Sequence, residues 1–270
     1  MTLATTIIGH GPRVVLLHGF TQNRRCWGAI PEQLATSHEV VLVDAPGHGE
    51  SAHDDADLWT AAELLAEVGG RATYVGYSMG GRMALHLALE HPELVDGLVL
   101  IGATAGLTTE EERATRRAAD EVLAQRIETG PLRAFLEDWL ANPLFATLPA
   151  ESRRLAERET NRPAGLAASL RACGTGNQDP LWDRLAELAM PVVLVAGSTD
   201  EKFTALAHRM AEAIGANARV VIEPGSHAVH LEDDAAIARA LELLPVVPVA
   251  VDPVAVVPVE GGAVEGEPIE

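Results

Sequence analysis

Short runs of apolar residues return along this chain at intervals that leave room for one helix between them. Val14 to Leu17, Val40 to Val43, Ala72 to Val75, Leu98 to Ile101, Val192 to Ala196 and Val220 to Ile222 are unbroken, not alternating. Unbroken runs of this length mark strands buried on both faces, as in a parallel sheet with helices on either side. Trp27 to Ala35, Leu58 to Val68, Arg82 to Glu90, Glu201 to Ile214 and Asp233 to Leu244 carry helical periodicity between or after them. An earlier run, Leu3 to Ile8, precedes the turn signal His10-Gly11-Pro12. The expected class is α/β, a mostly parallel sheet flanked by helices.

The alternation stops from Gly106 to about Leu188. That stretch is polar, rich in Arg and Glu and helix-periodic, with breaks at Gly130-Pro131, Asn142-Pro143 and Arg162-Pro163. The strand rhythm then resumes, which identifies an insertion and not a second domain. The chain therefore divides into a core of residues 1–105 and 189–244, a helical cap of residues 106–188 and a tail of residues 245–270. The tail is rich in Pro and Val, then in Gly and Glu, so it is expected to be disordered.

Composition narrows the classes of partner. A formal charge of −19, of which the five carboxylates of the tail supply −5, excludes nucleic acid and anionic membrane surfaces. No run approaches the ~20 apolar residues of a membrane span. The first residues lack a basic segment followed by a long apolar one, and Cys26 and Cys173 are the only cysteines, so a reducing cytoplasm is the expected location. Lys202 is the only lysine, every other basic residue apart from histidine being arginine.

The chemistry centres on Gly76-Tyr77-Ser78-Met79-Gly80-Gly81, which lies between an apolar run and a helical pattern. In that context Gly-x-Ser-x-Gly reads as a nucleophile elbow that exposes the Ser78 hydroxyl above the sheet. A serine hydroxyl is a weak base and nucleophile until an imidazole accepts its proton, and the imidazole needs a carboxylate to fix its tautomer. Asp200 follows the run Val192 to Ala196, and His227 follows Val220 to Ile222. The order Ser78, Asp200, His227 is that of the α/β hydrolases. His18-Gly19-Phe20, at the end of an early strand, would supply one oxyanion donor from the backbone N–H of Phe20, and the N–H of Met79 the other. Asp44 and His48 could form a second acid–imidazole pair, although loop-stabilising bonds suit them better, and His18 suits a structural role. His227-x-x-His230 lacks a third ligand at recognisable spacing, so no metal and no cofactor are expected.

The resemblance goes beyond the superfamily. His18-Gly19-Phe20-Thr21, Asp44-Ala45-Pro46-Gly47-His48-Gly49, Gly76 to Arg82, the cap stretch Phe135 to Leu148, Lys202-Phe203 and His227 to Glu232 together resemble the 2-succinyl-6-hydroxy-2,4-cyclohexadiene-1-carboxylate synthases of menaquinone biosynthesis, over about residues 13–244. The resemblance implies an α/β-hydrolase fold with an inserted helical cap. It implies a lyase that eliminates pyruvate from 2-succinyl-5-enolpyruvyl-6-hydroxy-3-cyclohexene-1-carboxylate, a small anionic substrate with three carboxylates. It further implies that Tyr77, Arg82, Arg116, Trp139 and Arg158 hold that substrate. Read without the resemblance, Arg116 and Arg158 could not be chosen over Arg113, Arg117 or Arg154. Asp233-Asp234 stands where the family often has Asn-Pro, and the acidic tail has no family counterpart. The same core motifs also suit a serine hydrolase, acting on esters, thioesters or carbon–carbon bonds of a carboxylate-bearing substrate, and a receptor that has lost turnover. The oligomeric state is left open by the sequence.

Overall fold

The computed structural model describes residues 2–51 and 55–245. All of the expected tail except Pro245 therefore lies outside the described residues. Seven strands form one sheet: β1 (Thr5–Gly9), β2 (Arg13–Leu17), β3 (Glu39–Val43), β4 (Ala72–Tyr77), β5 (Val95–Ile101), β6 (Val192–Gly197) and β7 (Ala218–Glu223). Their order across the sheet is β1-β3-β2-β4-β5-β6-β7. β1 runs antiparallel to β3, with Thr5 opposite Val43, and every other pairing is parallel.

The unbroken apolar runs are explained by two cores, one on each face of the sheet. Val15, Leu17, Val41, Val43, Leu98 and Leu100 enter one; Val14, Leu16, Val40, Leu42, Val99 and Ile101 enter the other. Successive side chains of a strand point to opposite faces, so burial on both requires apolar residues at every position. β7 lies at the sheet edge and is only partly covered, Ile222 being exposed.

Among the described residues, four α-helices lie between these strands outside the long stretch that separates β5 from β6. They are α1 (Ile30–Leu34), α2 (Leu58–Gly69), α3 (Met79–Glu90) and the helix Glu201–Ile214. α1 is shorter than the periodicity from Trp27 suggests. Gly28 adopts a positive φ of 66° and Pro31 occupies the first turn, so the helix cannot extend back to Trp27.

The stretch between β5 and β6 contains helices and no strand among its residues. It comprises α4 (Glu110–Thr129), α5 (Leu132–Leu140), α6 (Leu155–Arg158), α7 (Pro163–Cys173) and short 3-10 turns. α4 opens on a capping box, in which Thr109 Oγ1 accepts from the Glu112 N–H at 3.2 Å and the Glu112 carboxylate accepts from the Thr109 N–H at 3.0 Å. These helices have a small core of their own, with Ala124 and Ile127 of α4, Phe135 and Leu136 of α5, and Leu166 and Leu170 of α7. Phe20 and Trp139 lie between that core and the main one. The helix Glu201–Ile214 is α8, followed by α9 (Val229–Glu232) and α10 (Ala236–Glu242).

The chain leaves β2 for β3 on one side and returns to β4 on the other. The carboxyl ends of β2 and β4 therefore border the crevice where doubly wound sheets bind ligands. Leu17 lies opposite Gly76, Tyr77 opposite Ile101, Ile101 opposite Val195 and Gly197 opposite Glu223, so the loops bearing the expected chemistry leave the sheet at one level.

Candidate active site

Ser78 stands between β4 and α3 with φ 51° and ψ −106°, a strained conformation for a residue with a side chain. Glycines on either side allow it. A Cβ on Gly80 would lie 2.2 Å from the Leu17 carbonyl oxygen, and one on Gly76 would lie 2.5 Å from that of Gly80. The helix start and the end of β2 are thus in backbone contact. The Ser78 N–H is held by the Ile101 carbonyl at 2.8 Å, which fixes the turn to the neighbouring strand.

Asp200 begins α8 and accepts from the Phe203 N–H at 3.3 Å through Oδ1. Its other oxygen faces His227 Nδ1 at 2.7 Å, and His227 Nε2 lies 3.1 Å from Ser78 Oγ. Because a carboxylate only accepts, Nδ1 carries the proton and donates to Asp200, leaving Nε2 to accept from the Ser78 hydroxyl. Asp200 and His227 are both buried. Gly102, with φ 56°, lets the imidazole approach, since a Cβ there would lie 2.7 Å from His227 Cε1. Rings of Phe203, Tyr77 and Phe145 surround the imidazole, at centroid distances of 4.4, 5.4 and 6.2 Å.

The backbone N–H groups of Phe20 and Met79 meet no acceptor among the described residues, as oxyanion donors must not. The turn that carries Phe20 is well braced. The Gly19 N–H donates to Gln22 Oε1 at 2.9 Å, and Arg158 donates to both Thr21 Oγ1 and, at 3.5 Å, the Phe20 carbonyl. His18 bridges the turn to the next loop: Nδ1–H donates to the Gly19 carbonyl at 2.8 Å and Nε2 accepts from the Ala45 N–H at 3.0 Å. Burial lowers its pKa to about 4, so it is neutral and fixed. Asp44 accepts from the Arg24 and Glu50 N–H groups, at 2.7 and 2.8 Å, and pairs with the Arg24 guanidinium. Asp44 and His48 thus stabilise a loop, His48 Nδ1–H donating to the Pro46 carbonyl at 2.9 Å.

Phe20, Tyr77, Ser78, Met79, Arg82, Arg116, Trp139, Arg158 and His227 all line one cavity, which encloses about 880 Å³ of empty space, part of it open to solvent. Asp200 stands behind His227 and is the one expected site residue outside that lining. Arg82 is 7% and Arg158 1% exposed, and neither has a carboxylate within 4.0 Å among the described residues. Arg82 Nη1 donates to the Cys173 carbonyl at 2.6 Å, and Arg158 Nε to the Arg153 carbonyl at 2.8 Å. Burial lowers the Arg82 pKa to about 10, against the pull of the Asp120 carboxylate, and also lowers that of Arg158. A buried charge without a partner is costly. Arg116 differs, since its Nε donates to Asp120 at 2.8 Å.

Asp120, a buried carboxylate whose Oδ2 has no partner, is absent from the sequence-derived set. Its only signal was the four-residue spacing from Arg116 on one helix face. Thr104, Ser169 and Thr175 add hydroxyls to the lining, and nothing in their local sequence distinguished them.

Residues 14–240 match the model of the alpha/beta hydrolase family. A 2-succinyl-6-hydroxy-2,4-cyclohexadiene-1-carboxylate synthase of Escherichia coli is 35% identical over 238 residues, covering 85% of this chain and 92% of its own. The chain belongs to the alpha/beta hydrolase family and, within it, to these synthases. A Bacillus subtilis relative given the same synthase name provisionally is 37% identical over 240 residues, which is 81% of this chain and 85% of that one. Among solved structures, MenH from S. aureus superposes with a TM-score of 0.82 at 30% identity, covering 90% of this chain and 98% of that one. An enol-lactonase from Burkholderia xenovorans, at 20% identity and a TM-score of 0.73, shares the fold. The family match spans both parts of the sheet and the helices inserted between them, so the cavity lies wholly inside the matched region.

Proposed function

We propose that this protein eliminates pyruvate from 2-succinyl-5-enolpyruvyl-6-hydroxy-3-cyclohexene-1-carboxylate, giving 2-succinyl-6-hydroxy-2,4-cyclohexadiene-1-carboxylate for menaquinone biosynthesis. The observation that carries this reading is the pair of buried arginines, Arg82 and Arg158, with no carboxylate partner, on the wall of the cavity that holds Ser78. An esterase for neutral substrates has no use for them. A substrate with several carboxylates supplies the missing charge, and arginine engages carboxylates through paired N–H donors.

Ser78 Oγ, its proton accepted by His227 Nε2, removes the ring proton alpha to the succinyl ketone. Electrons of that C–H bond move into an enolate whose oxygen lies between the N–H groups of Phe20 and Met79. The enolate collapses through the ring double bond and breaks the bond to the enolpyruvyl oxygen. The proton held by the Ser78–His227 pair returns to that leaving oxygen, and enolpyruvate tautomerises to pyruvate. Fixed N–H dipoles stabilise an enolate for the reason that they stabilise a tetrahedral oxyanion: they already point where negative charge develops. No acyl-enzyme forms. Asp200 keeps His227 in the tautomer that can accept from Ser78.

Residues 106–188 act as a cap in this scheme, contributing Arg116, Trp139 and Arg158 to substrate binding while the core contributes Tyr77 and Arg82. Cys26 and Cys173 are both free and buried, in accord with a reducing cytoplasm. Among the described residues no helix is long and apolar enough to cross a membrane.

The test is pyruvate release from freshly generated substrate, run beside a simple nitrophenyl ester. Rapid release with feeble ester hydrolysis is expected. Release no faster than the uncatalysed background, with good ester turnover, would overturn the lyase assignment in favour of a hydrolase.

A further inference from the structure

The charges on the cavity wall do not balance, and their arithmetic singles out a residue at the rim. Most arginines away from the cavity have a carboxylate within 4.0 Å, as Arg24 has Asp44, Arg171 has Glu121 and Glu128, and Arg239 has Glu223 and Asp233. Of the cations that line the cavity, Arg116 is already answered by Asp120. Arg82, Arg158 and Lys202 line it with no carboxylate partner among the described residues. Lys202 is the only lysine of the chain, in a protein whose other cationic side chains are arginines.

Its position is set by α8. Asp200 caps that helix and reaches His227, so the next turn places Phe203 against the His227 ring, at a centroid distance of 4.4 Å. The Lys202 ammonium stands 5.5 Å from the centroid of the Phe203 ring, a cation–π contact at the edge of the cavity. Lys202 itself is exposed, so its charge reaches solvent as well as the cavity.

We propose that Lys202 is the third substrate-binding cation, engaging one carboxylate of a tricarboxylate at the mouth while Arg82 and Arg158 hold the other two inside. The inference deepens the synthase reading and rests on it only for the identity of the tricarboxylate. Arg116, whose charge Asp120 offsets, still lends its remaining N–H donors to the substrate, and the third net positive charge of the wall comes from Lys202. A lysine suits the rim because a hydrated point charge on a long stem can follow a carboxylate as it enters or leaves, where a fixed guanidinium fork could not. Charge at a cavity mouth also raises the capture rate of an anion against the field of an acidic protein.

The test reads binding without turnover. A neutral nitrophenyl phosphonate inactivates Ser78 by forming an Oγ–P bond and expelling nitrophenolate, the serine proton passing to His227. Benzoate, benzene-1,3-dicarboxylate and benzene-1,3,5-tricarboxylate are then compared as protectants, each variant being normalised to its own unprotected rate. Lys202→Ala is expected to weaken protection by the tricarboxylate about fivefold, the ceiling for a solvent-exposed ion pair, with the mono- and dicarboxylates changed less than about twofold. Lys202→Arg should restore most of the loss, Lys202→Glu should deepen it, and ~0.5 M salt should shrink the difference. Equal protection by the tricarboxylate in wild type and Lys202→Ala, or an equal loss with all three anions, would overturn the proposal. If wild type released no pyruvate, the synthase reading would fall, while a tricarboxylate preference that vanished in Lys202→Ala would still establish the third cation.

Discussion

Arg82 Nη1 donates to the backbone carbonyl of Cys173 at 2.6 Å, joining the helix that starts at the serine elbow to the last helix of the insertion. The bond fixes one edge of the guanidinium and leaves its other donors without partners among the described residues. One residue therefore both ties the inserted helices to the core and presents charge to the cavity. Arg82→Ala removes both. Its expected effect is a loss of about 10²-fold or more in kcat/KM for pyruvate release, the cost of about 3 kcal/mol of charge-assisted binding. Arg82→Lys should recover less than half of that in free energy, because an ammonium cannot span the Cys173 carbonyl and a carboxylate in the same geometry. Steady-state kinetics on the two variants decide it, and unchanged kcat/KM in Arg82→Ala would remove the carboxylate clamp from the mechanism.

The Ser78, His227 and Asp200 series separates proton transfer from binding. Ser78→Ala leaves the arginines and the two proposed oxyanion donors in place, so binding of a product-like tricarboxylate should change little while turnover falls by about 10³-fold or more. Asp200→Asn keeps the shape but lets the amide donate to His227 Nδ1, which selects the tautomer that cannot accept from Ser78. A similar loss is expected, and the double variant should be little worse than either single one because the residues act as a unit. Ser78→Ala with near-wild-type turnover would exclude the serine as base.

How much of this was legible beforehand depended on whether the signal was local. Strands β2 to β6 could be read because burial on both faces fills their inner stretches with consecutive apolar residues, as at Val14 to Leu17. The turn at Ser78 could be read because Gly76 and Gly80 admit no side chain there. Arg116 could not be separated from Arg113 and Arg117 by pattern alone, since all lie on a charged helix. The fold separates them: Arg113 and Arg117 turn to Glu110, and Arg116 turns inward to buried Asp120. Only family resemblance pointed to Arg116 and Arg158 in advance. Asp120 itself looks like any acid among the many of α4, and its burial arises from α7 packing beside it at Gly174, where a Cβ would lie 2.5 Å from Asp120 Oδ2. Such a contact joins residues distant in sequence and leaves no local trace.

Four buried histidines make the fold sensitive to acid. Burial lowers the pKa of His18 and His86 to about 4 and of His48 and His230 to about 3, against an ordinary value of 6.5. The unfolded chain thus binds more protons than the folded one between those values and 6.5. Stability is complete above about pH 6.5 and is lost as pH falls towards the folded pKa values, by about 1.4 kcal/mol per pH unit for each histidine. Two of them alone would remove about 5 kcal/mol over about two pH units, comparable with the whole stability of a marginal domain. Thermal midpoints should accordingly fall steadily from about pH 6.5 to about pH 4.5. A midpoint that stayed level over that interval would show that these imidazoles are protonated or solvated in the native state.

The elbow glycines should be the least tolerant positions of the core, for a reason that a matched control isolates. At Gly80 a Cβ would lie 2.2 Å from the Leu17 carbonyl oxygen and 2.6 Å from that of His18, and neither backbone atom can rotate away. Gly80→Ala must push α3 from the end of β2, moving the Met79 N–H relative to the Phe20 N–H. A cost of about 1 to 3 kcal/mol is expected, with a melting point lowered by roughly 2 to 12 °C. Activity should fall further than stability does, because oxyanion stabilisation depends on where both donors point. Gly215 ends α8 with φ 83°, and a Cβ placed on it would have nothing within 4 Å, so Gly215→Ala meets backbone strain without a clash. It should cost about 1 to 3 kcal/mol and leave kcat unchanged. Calorimetry paired with pyruvate release on the two variants reads the difference: parallel losses in both would mean that general destabilisation, and not displacement of the oxyanion donors, is what Gly80 prevents.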